Sequence, residues 1–295
     1  MKIQGVIAAM VTPYADEQCT ISQERIKKLC GFLLSKGISG LLPLGTTGEG
    51  PYLSKEQRKE VAETVVKHAN KRIPVIVHTG MLTTVDTVEL SLHAQDIGAD
   101  AIAVMTPFFR HLEDNALFDF FTIVAKEVAP LPMFLYNLPA MTNNDISPAL
   151  LFRLATQADN IIGLKYSSND LLRFREYRKK MGADFQLFIG SDEMILPALF
   201  EGANGCVSGP ASCYPEVITG IYNAFVQGDF QEAARQQALL DELRAIFKDG
   251  TLLCYFKAIL QLRGIETGQV KPPLRNITTE EFDVLECDLR RLRLL

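Results

Sequence analysis

The chain has 295 residues, of which 47% are hydrophobic and 22% are charged, and its formal net charge at pH 7 is −5. The apolar fraction argues against a disordered chain, and the acidic balance without a long basic run argues against nucleic-acid binding. The apolar runs are far shorter than the roughly 18–20 residues of a membrane span, so we expect no membrane association. The first apolar run is closed by Pro13 and preceded by one basic residue, Lys2, which favours a cytoplasmic protein without a secretory signal.

The usual metal and cofactor motifs are missing. The chain has 6 cysteines but no C-x-x-C pair, so neither a zinc site nor a disulfide framework is expected. We also find no glycine-rich phosphate motif of the G-x-G-x-x-G or Walker type. These features favour chemistry that side chains perform without a metal or a cofactor.

Short apolar runs alternate with longer amphipathic stretches along most of the chain. The short runs are rich in Val, Ile and Leu without polar alternation, which is typical of strands buried on both faces. They predict strands at 5–13, 40–45, 73–80, 101–107, 132–139, 161–168, 185–192 and 205–212. The amphipathic stretches predict helices at 22–36, 55–70, 85–97, 115–128, 148–158, 170–181, 193–201 and 214–227. Ser54 with Gln57 forms a capping-box pattern, and Ser147 before Pro148 is typical of a helix start.

Successive strand–helix units predict an α/β protein with parallel strands and right-handed crossovers. A closed (β/α)8 TIM barrel is favoured because closure removes the sheet edges. An open doubly wound sheet is the alternative, although it usually carries the glycine turn that is missing here. Beyond residue 228 only helical patterns remain, at 229–248, 250–263 and 279–291. We therefore predict a barrel with the active site over 1–228 and a C-terminal α-helical appendage over 229–295.

Lys165 breaks the pattern of its strand, because it stands within the apolar run 161–168. Burying an ammonium group is costly, and burial favours the neutral amine that attacks carbonyl compounds to form a Schiff base. A lysine that reaches out of the strand, or one paired with a carboxylate, explains the pattern equally well. The position at the end of a barrel strand, where active sites of this fold lie, makes Lys165 a candidate nucleophile.

Other polar residues follow the predicted strands. Residues 45–49, Gly-Thr-Thr-Gly-Glu, form what we call the threonine turn, whose backbone N–H groups could bind an anion, although an ordinary β-α turn has the same composition. Tyr136 is a candidate proton carrier or a buried phenol with a backbone partner. For His78 the pattern favours a satisfied core histidine, and for Asp192 a solvated loop carboxylate.

Four motifs in a fixed order resemble the dihydrodipicolinate synthase / N-acetylneuraminate lyase family. They are the threonine turn, Tyr136-Asn137-x-Pro139, Gly163-x-Lys165 and Gly190-x-Asp192-Glu193. The resemblance extends over the whole chain, including the helical tail. It implies a (β/α)8 barrel, pyruvate-dependent class I aldolase or lyase chemistry without metal or cofactor, and a homo-oligomer, usually a homotetramer.

The resemblance also assigns roles to individual residues. It implies that Lys165 is the Schiff-base lysine, Tyr136 the proton donor and acceptor, and Thr46 the hydroxyl that relays protons to Tyr136. The resemblance also implies that Thr47 binds the carboxylate of the substrate and that the backbone carbonyl of Val207 lies beside the bound pyruvate. Asp192 and Ser208 are implied to contact the variable part of the substrate.

Two positions depart from the family pattern. The synthases of the family carry an arginine after the Tyr-Asn-x-Pro motif, where this chain has Met141. Relatives also often carry a tyrosine after Thr-Pro in the fourth strand, donated across a subunit interface, where this chain has Phe108 and Phe109. Both departures favour the sugar-acid aldolases over the synthases, and Phe109 could equally be a packing residue at a subunit contact.

We therefore expect a carbon–carbon lyase that joins Lys165 to pyruvate or another small-molecule 2-oxo acid, and that cleaves or forms a 2-keto-3-deoxy sugar acid. A 4-hydroxy-tetrahydrodipicolinate synthase with a changed second-substrate site is the alternative. A barrel that binds a 2-oxo acid without turnover stays open as the third reading. The sequence leaves the aldehyde, the stereochemistry and the direction of the reaction undetermined.

Overall fold

The computed structural model describes residues 2–295, except for the side chain of Asp249. Within these residues, eight parallel strands form one sheet in the order β2-β1-β8-β7-β6-β5-β4-β3. They are β1 Gly5–Ala9, β2 Gly40–Leu42, β3 Ile76–His78, β4 Ala101–Met105, β5 Met133–Asn137, β6 Ile161–Tyr166, β7 Gln186–Ile189 and β8 Gly205–Ser208. A parallel bridge between Leu41 and Val75 joins β2 to β3, so the sheet curls into a nearly closed (β/α)8 TIM barrel. The predicted fold is confirmed, and the open doubly wound sheet is wrong.

The helices follow the strands and cover the outside of the barrel. They are α1 Gln23–Ser35, α2 Lys55–Ala69, α3 Thr84–Asp96, α4 Asp114–Val128, α5 Pro139–Thr142, α6 Pro148–Gln157, α7 Leu171–Met181, α8 Ile195–Phe200 and α9 Pro215–Val226. The C-terminal helices are α10 Phe230–Ile246, α11 Leu253–Leu262 and α12 Thr279–Arg291. Among the described residues, no helix combines the length and the apolar character needed to cross a membrane.

The predicted helix starts have the expected hydrogen bonds. The Ser54 hydroxyl accepts from the Gln57 backbone N–H, and the Gln57 side chain accepts from the Ser54 N–H, which completes the capping box of α2. Ser147 likewise accepts from the N–H of Leu150, with Pro148 at the first position of α6. Each cap satisfies a backbone donor that the helix itself leaves unpaired.

The core has two layers because every strand is buried on both faces. Outward-facing strand residues pack with the helices in one large cluster. Inward-facing residues fill the barrel, among them Ile7, Ala9, Phe134, Phe188 and Val207. The rings of Phe134 and Phe188 meet edge to face with centroids 5.9 Å apart, which fills the barrel interior with packed side chains. The alternation of the two faces decides which side chains near the strand ends point inward.

Candidate active site

The strand register places Lys165 and Tyr136 side by side inside the barrel. Phe134 of β5 belongs to the interior cluster, so Tyr136, two residues later, lies on the same face. Phe134 pairs with Gly163 and Tyr136 pairs with Lys165 in the adjacent β6. A Cβ on Gly163 would lie 2.4 Å from the Phe134 ring, so glycine there allows the ring to close the barrel one layer below Lys165.

The Lys165 amine lies against the face of the Tyr136 ring. Its Nζ is 3.8 Å from the ring centroid, and the residue is only 6% exposed. A Cβ at Gly190 would lie 2.8 Å from Lys165 Cε, so glycine leaves room for the side chain. Within the described part of the chain, no carboxylate lies at ion-pair distance from Lys165. The two alternatives of a lysine that leaves the strand and one paired with a carboxylate are therefore wrong.

The Tyr136 hydroxyl reaches the threonine turn. Its oxygen is 3.4 Å from Thr46 Oγ1, which joins the phenol to the end of the neighbouring loop after β2. Burial alone would raise the pKa of Tyr136, but the charge of Lys165 and the hydrogen bond with Thr46 outweigh it and lower that pKa below its ordinary value. A phenol that ionises more readily than usual is suited to passing protons.

His78 lies behind Tyr136, and its ring meets the tyrosine ring edge to face with centroids 5.8 Å apart. Its Nδ1 is 3.3 Å from Nη2 of the buried Arg58, while its Nε2 has no hydrogen-bond partner within residues 2–295. Burial, with the positive charges of Arg58 and Lys165, holds the pKa of His78 well below its usual range. The predicted position in the core is confirmed, but the expectation of a satisfied histidine is wrong because Nε2 is unpaired. The lowered pKa makes the imidazole neutral at pH 7.

A cavity of about 550 Å³ opens above these residues at the carboxyl ends of the strands. Most of the predicted site residues line it: Lys165, Tyr136, Thr46, Thr47, Val207 and Asp192. Ser208 does not. It is fully buried and its hydroxyl accepts from the N–H of Ala211. The structure thus brings six of the predicted residues to one cavity and buries the seventh, Ser208, near enough to Asp192 to influence its pKa.

The environment of Asp192 differs most clearly from the prediction made from the sequence pattern, which was a solvated loop carboxylate. Its Oδ1 is buried and has no hydrogen-bond partner among the residues that the structure describes. Burial raises the pKa of Asp192 to about 6, although the Ser208 hydrogen bond and the charge of Arg244 act in the opposite direction. The expected solvated carboxylate is therefore wrong, and Asp192 presents a partly desolvated acceptor to the cavity.

Several cavity residues were not predicted. The C-terminal helices contribute Arg244 from α10 and Phe256 from α11, so the cavity is not confined to residues 1–228. Arg244 forms an ion pair with Glu193, 2.6 Å between Nη1 and Oε2. An arginine on an amphipathic helix resembles any solvated residue in sequence, so no local signal identified it. Asn169 after β6 also lines the cavity, and its side chain contacts Glu193.

The two departures from the family pattern lie on the outside of this cavity. Met141 lines its edge and is 70% exposed, so it offers a flexible apolar side chain where a guanidinium would bind an anion. Phe109 is 87% exposed with φ of 80° and is not part of the cavity lining. Tyr136 therefore meets Thr46, and no second tyrosine, within the described chain.

Among the described residues, no group of three or more His, Cys, Asp or Glu side chains is placed to hold a metal ion. The arrangement consists instead of a buried amine, a readily ionised phenol, two threonine hydroxyls and a carboxyl of raised pKa around one cavity. These groups can supply a nucleophile, a proton carrier and polar contacts to a small carbonyl substrate.

Comparison with known proteins gives concordant matches over the full chain. A profile of the Dihydrodipicolinate synthetase family matches residues 2–292. The 4-hydroxy-tetrahydrodipicolinate synthase of Methanopyrus kandleri is 34% identical over 100% of this chain and 98% of its own. The structure of YagE, a prophage protein of E. coli K12 in complex with pyruvate, superposes with a TM-score of 0.94 at 30% identity, covering 99% of each chain. A sialic acid aldolase of Ruminococcus gnavus, solved as a catalytic lysine mutant, has a TM-score of 0.94 at 28% identity over 99% of this chain and 98% of its own.

Proposed function

Because this chain belongs to the dihydrodipicolinate synthetase family, we propose that Lys165 joins a 2-oxo acid, pyruvate or a larger relative, through a Schiff base. The family is one of class I aldolases and lyases that act on small molecules, so the chain is a carbon–carbon lyase. The observation that carries the proposal for Lys165 is its position, 6% exposed and 3.8 Å from the Tyr136 ring centroid, at the base of the cavity. The third reading, a barrel that binds without turnover, is wrong.

The first step is attack of the Lys165 amine on the C2 carbonyl of the 2-oxo acid. Tyr136 gives a proton to the developing alkoxide and recovers one from the amine nitrogen, with Thr46 as its neighbour in the relay. Loss of water from the carbinolamine then gives the iminium. When an aldol is cleaved, the C4 hydroxyl loses its proton to Tyr136 and becomes the aldehyde carbonyl, the C3–C4 bond breaks, and its electron pair moves to the iminium nitrogen to give an enamine. The reverse flow of protons and electrons forms the bond.

We assign the substrate carboxylate to the threonine turn. Thr46 and Thr47 line the cavity, and a Cβ at Gly209 would lie 3.1 Å from Thr47 Oγ1, so the Thr47 hydroxyl closely approaches the end of β8. A carboxylate held by hydroxyl and backbone N–H donors fixes the carbonyl carbon for attack by the amine. Val207 also lines the cavity, and we assign to its backbone carbonyl a contact with the bound substrate.

The rest of the cavity supports a substrate larger than pyruvate. Asp192, Asn169 and Ser191 form a polar part of its lining, which is suited to the hydroxyl groups of a 2-keto-3-deoxy sugar acid. The alternative of a 4-hydroxy-tetrahydrodipicolinate synthase is favoured by the 34% identical relative. Met141 opposes that alternative because a thioether cannot bind the second carboxylate.

Borohydride reduction in the presence of pyruvate tests the assignment of Lys165. We expect a stable adduct on the peptide that contains Lys165, detected by mass spectrometry, and none in Lys165→Met. The exposed Lys179→Met variant is the control and should form the adduct like the wild type. An adduct on another lysine, or none at all, would refute the proposal.

Turnover with two substrate sets then separates the candidate reactions. Cleavage of 2-keto-3-deoxy sugar acids to pyruvate supports the aldolase, while condensation of pyruvate with aspartate semialdehyde supports the synthase. A cytoplasmic location and a homotetramer remain predictions from the family resemblance. Exposed apolar side chains such as Phe109 and Leu172 are compatible with subunit contacts, and the oligomeric state can be measured by light scattering.

A further inference from the structure

The threonine turn has a backbone that needs external support. Leu44, just before the turn, and Glu49, its last residue, adopt left-handed torsions with φ of 67° and 57°, which residues with side chains rarely adopt. A Cβ on Gly48 would lie 2.8 Å from Met10 O, so the turn is pressed against the loop that follows β1. Such a conformation persists when surrounding contacts hold it in place.

Those contacts come largely from a buried ion pair. Glu49 is fully buried, and its Oε1 lies 2.8 Å from Nζ of Lys257, which is in α11. The same ammonium donates hydrogen bonds to Thr12 O at 2.8 Å and to Gln269 O at 2.6 Å. The other carboxylate oxygen of Glu49 accepts from the backbone N–H of Lys271 at 2.6 Å. Glu49 therefore joins the threonine turn to the segment 257–271, which is distant in sequence.

The pair is enclosed on its remaining side by an aromatic ring. The Lys257 ammonium lies 4.0 Å from the centroid of the Tyr14 ring. Burial lowers the pKa of Lys257, while the charge of Glu49 acts against this shift and favours the ammonium. Because neither group reaches water, loss of one partner would leave the other charge uncompensated.

The pair is linked to the substrate side of the turn. Thr12, whose carbonyl accepts from Lys257, donates its hydroxyl to Gly48 O at 2.6 Å. The residue before Lys257, Phe256, lines the cavity and would be 3.4 Å from a Cβ at Gly209, the position that Thr47 Oγ1 also approaches. Two consecutive residues of α11 therefore serve both regions: Lys257 contacts the threonine turn through Glu49, and Phe256 lines the cavity.

We propose that Lys257 is a positioning residue: through Glu49 it holds the threonine turn in the geometry that binds the substrate carboxylate. The inference rests on the proposed function, in which this turn receives the carboxylate and Lys165 receives the carbonyl. It assigns to the C-terminal helices a role in substrate affinity as well as in packing. Lys165 and Tyr136 stand on β6 and β5, and the turn contributes to proton transfer only the Thr46 hydroxyl, 3.4 Å from the Tyr136 oxygen. Loosening the turn should therefore weaken binding more than it slows the chemical step.

The test measures borohydride trapping at increasing pyruvate concentration in Lys257→Met. We expect the half-saturating pyruvate concentration to rise roughly tenfold or more, while the trapping rate at saturation changes by less than about threefold. Methyl pyruvate, which lacks the carboxylate charge, should be trapped as in the wild type. The matched control is Lys28→Met, which breaks an exposed ion pair with Glu24 and should leave both substrates unaffected.

A second variant covers the case in which Lys257→Met does not fold. The double variant Glu49→Gln, Lys257→Met removes both buried charges of the pair, and the amide oxygen introduced by the first substitution can still accept from the N–H of Lys271. We expect it to fold and to keep the raised half-saturation for pyruvate. Folded variants with wild-type half-saturation, or with equal losses for pyruvate and methyl pyruvate, would overturn the inference. If the wild type itself traps no pyruvate, the proposed function fails first.

Discussion

Replacing Asp192 by asparagine is expected to change how the stability of the protein depends on pH. The pKa of Asp192 is raised by burial from the ordinary 3.8 to about 6, with the Ser208 hydrogen bond and the Arg244 charge opposing the shift. The folded protein therefore binds this proton more tightly than the unfolded chain does. The resulting stabilisation is complete below about pH 3.8 and is lost as the pH rises through about 6.

The size of this effect follows from the two pKa values. The difference between 3.8 and about 6 corresponds to ~3 kcal/mol in total, of which roughly half is lost above pH 5. Asparagine has no proton to lose, so Asp192→Asn should gain ~1.5 kcal/mol relative to the wild type between pH 5 and pH 7.5. For a chain of 295 residues, a gain of ~1.5 kcal/mol should widen the Tm difference between the variant and the wild type by about 2–3 °C.

Thermal unfolding followed by circular dichroism at the two pH values measures this difference. The exposed Asp184→Asn serves as the control and should show the same Tm difference from the wild type at both. The Tm of Asp192→Asn relative to the wild type should rise from pH 5 to pH 7.5. If this Tm difference stayed constant or became smaller, the Asp192 carboxyl would not be desolvated as the structure indicates. Its assignment to a partly desolvated wall of the cavity would then have to be abandoned.

Three further substitutions test other parts of the site. Tyr136→Phe should lower kcat by about 10²–10⁴-fold while the adduct on Lys165 still forms slowly, and an undiminished kcat would exclude Tyr136 as the proton carrier. Gly190→Ala places a Cβ 2.0 Å from Ser167 Oγ and 2.8 Å from Lys165 Cε, so borohydride trapping should fall although circular dichroism shows a folded protein. If Gly190→Ala were trapped by borohydride as efficiently as the wild type, the added Cβ would not crowd Lys165. Met141→Arg should raise the turnover of aspartate semialdehyde about tenfold relative to an uncharged aldehyde, and an unchanged ratio would show that position 141 does not contact the second substrate.

The barrel was predictable because its strands are buried on both faces. Each of the aliphatic runs contains one observed strand, and β6 at Ile161–Tyr166 lies within the predicted 161–168. Short elements gave a weaker signal. The single turn α5 at Pro139–Thr142 was missed because four residues are too few to show a helical period. The predicted helix at 193–201 begins in the structure as a 3-10 turn at Asp192–Met194 and becomes α-helical only from Ile195.

The residues of the candidate site were predictable where they follow barrel strands, and less so where they come from the C-terminal helices that cover the cavity. Thr46 and Tyr136 follow or end strands, so the topology alone brings them to one end of the barrel. Arg244 and Phe256 reach the cavity from α10 and α11, and only tertiary packing decides which face of a C-terminal helix covers the barrel. The surroundings of Asp192 depend on the same packing, since Arg244 of α10 is one of the charges that influence its pKa.

Two lysines illustrate the limit most directly. Lys165 stands out in its aliphatic strand, and Lys257 stands equally alone in the apolar segment Leu253–Leu262. Burial in an apolar segment therefore identifies a lysine with a special environment, but it does not distinguish a nucleophile from a structural cation. The difference is the partner: Lys257 has the Glu49 carboxylate at 2.8 Å, whereas Lys165 has the face of the Tyr136 ring at 3.8 Å. The ion pair with Glu49 commits the Lys257 ammonium to a structural role, so of the two lysines we propose Lys165, in contact with Tyr136, as the nucleophile.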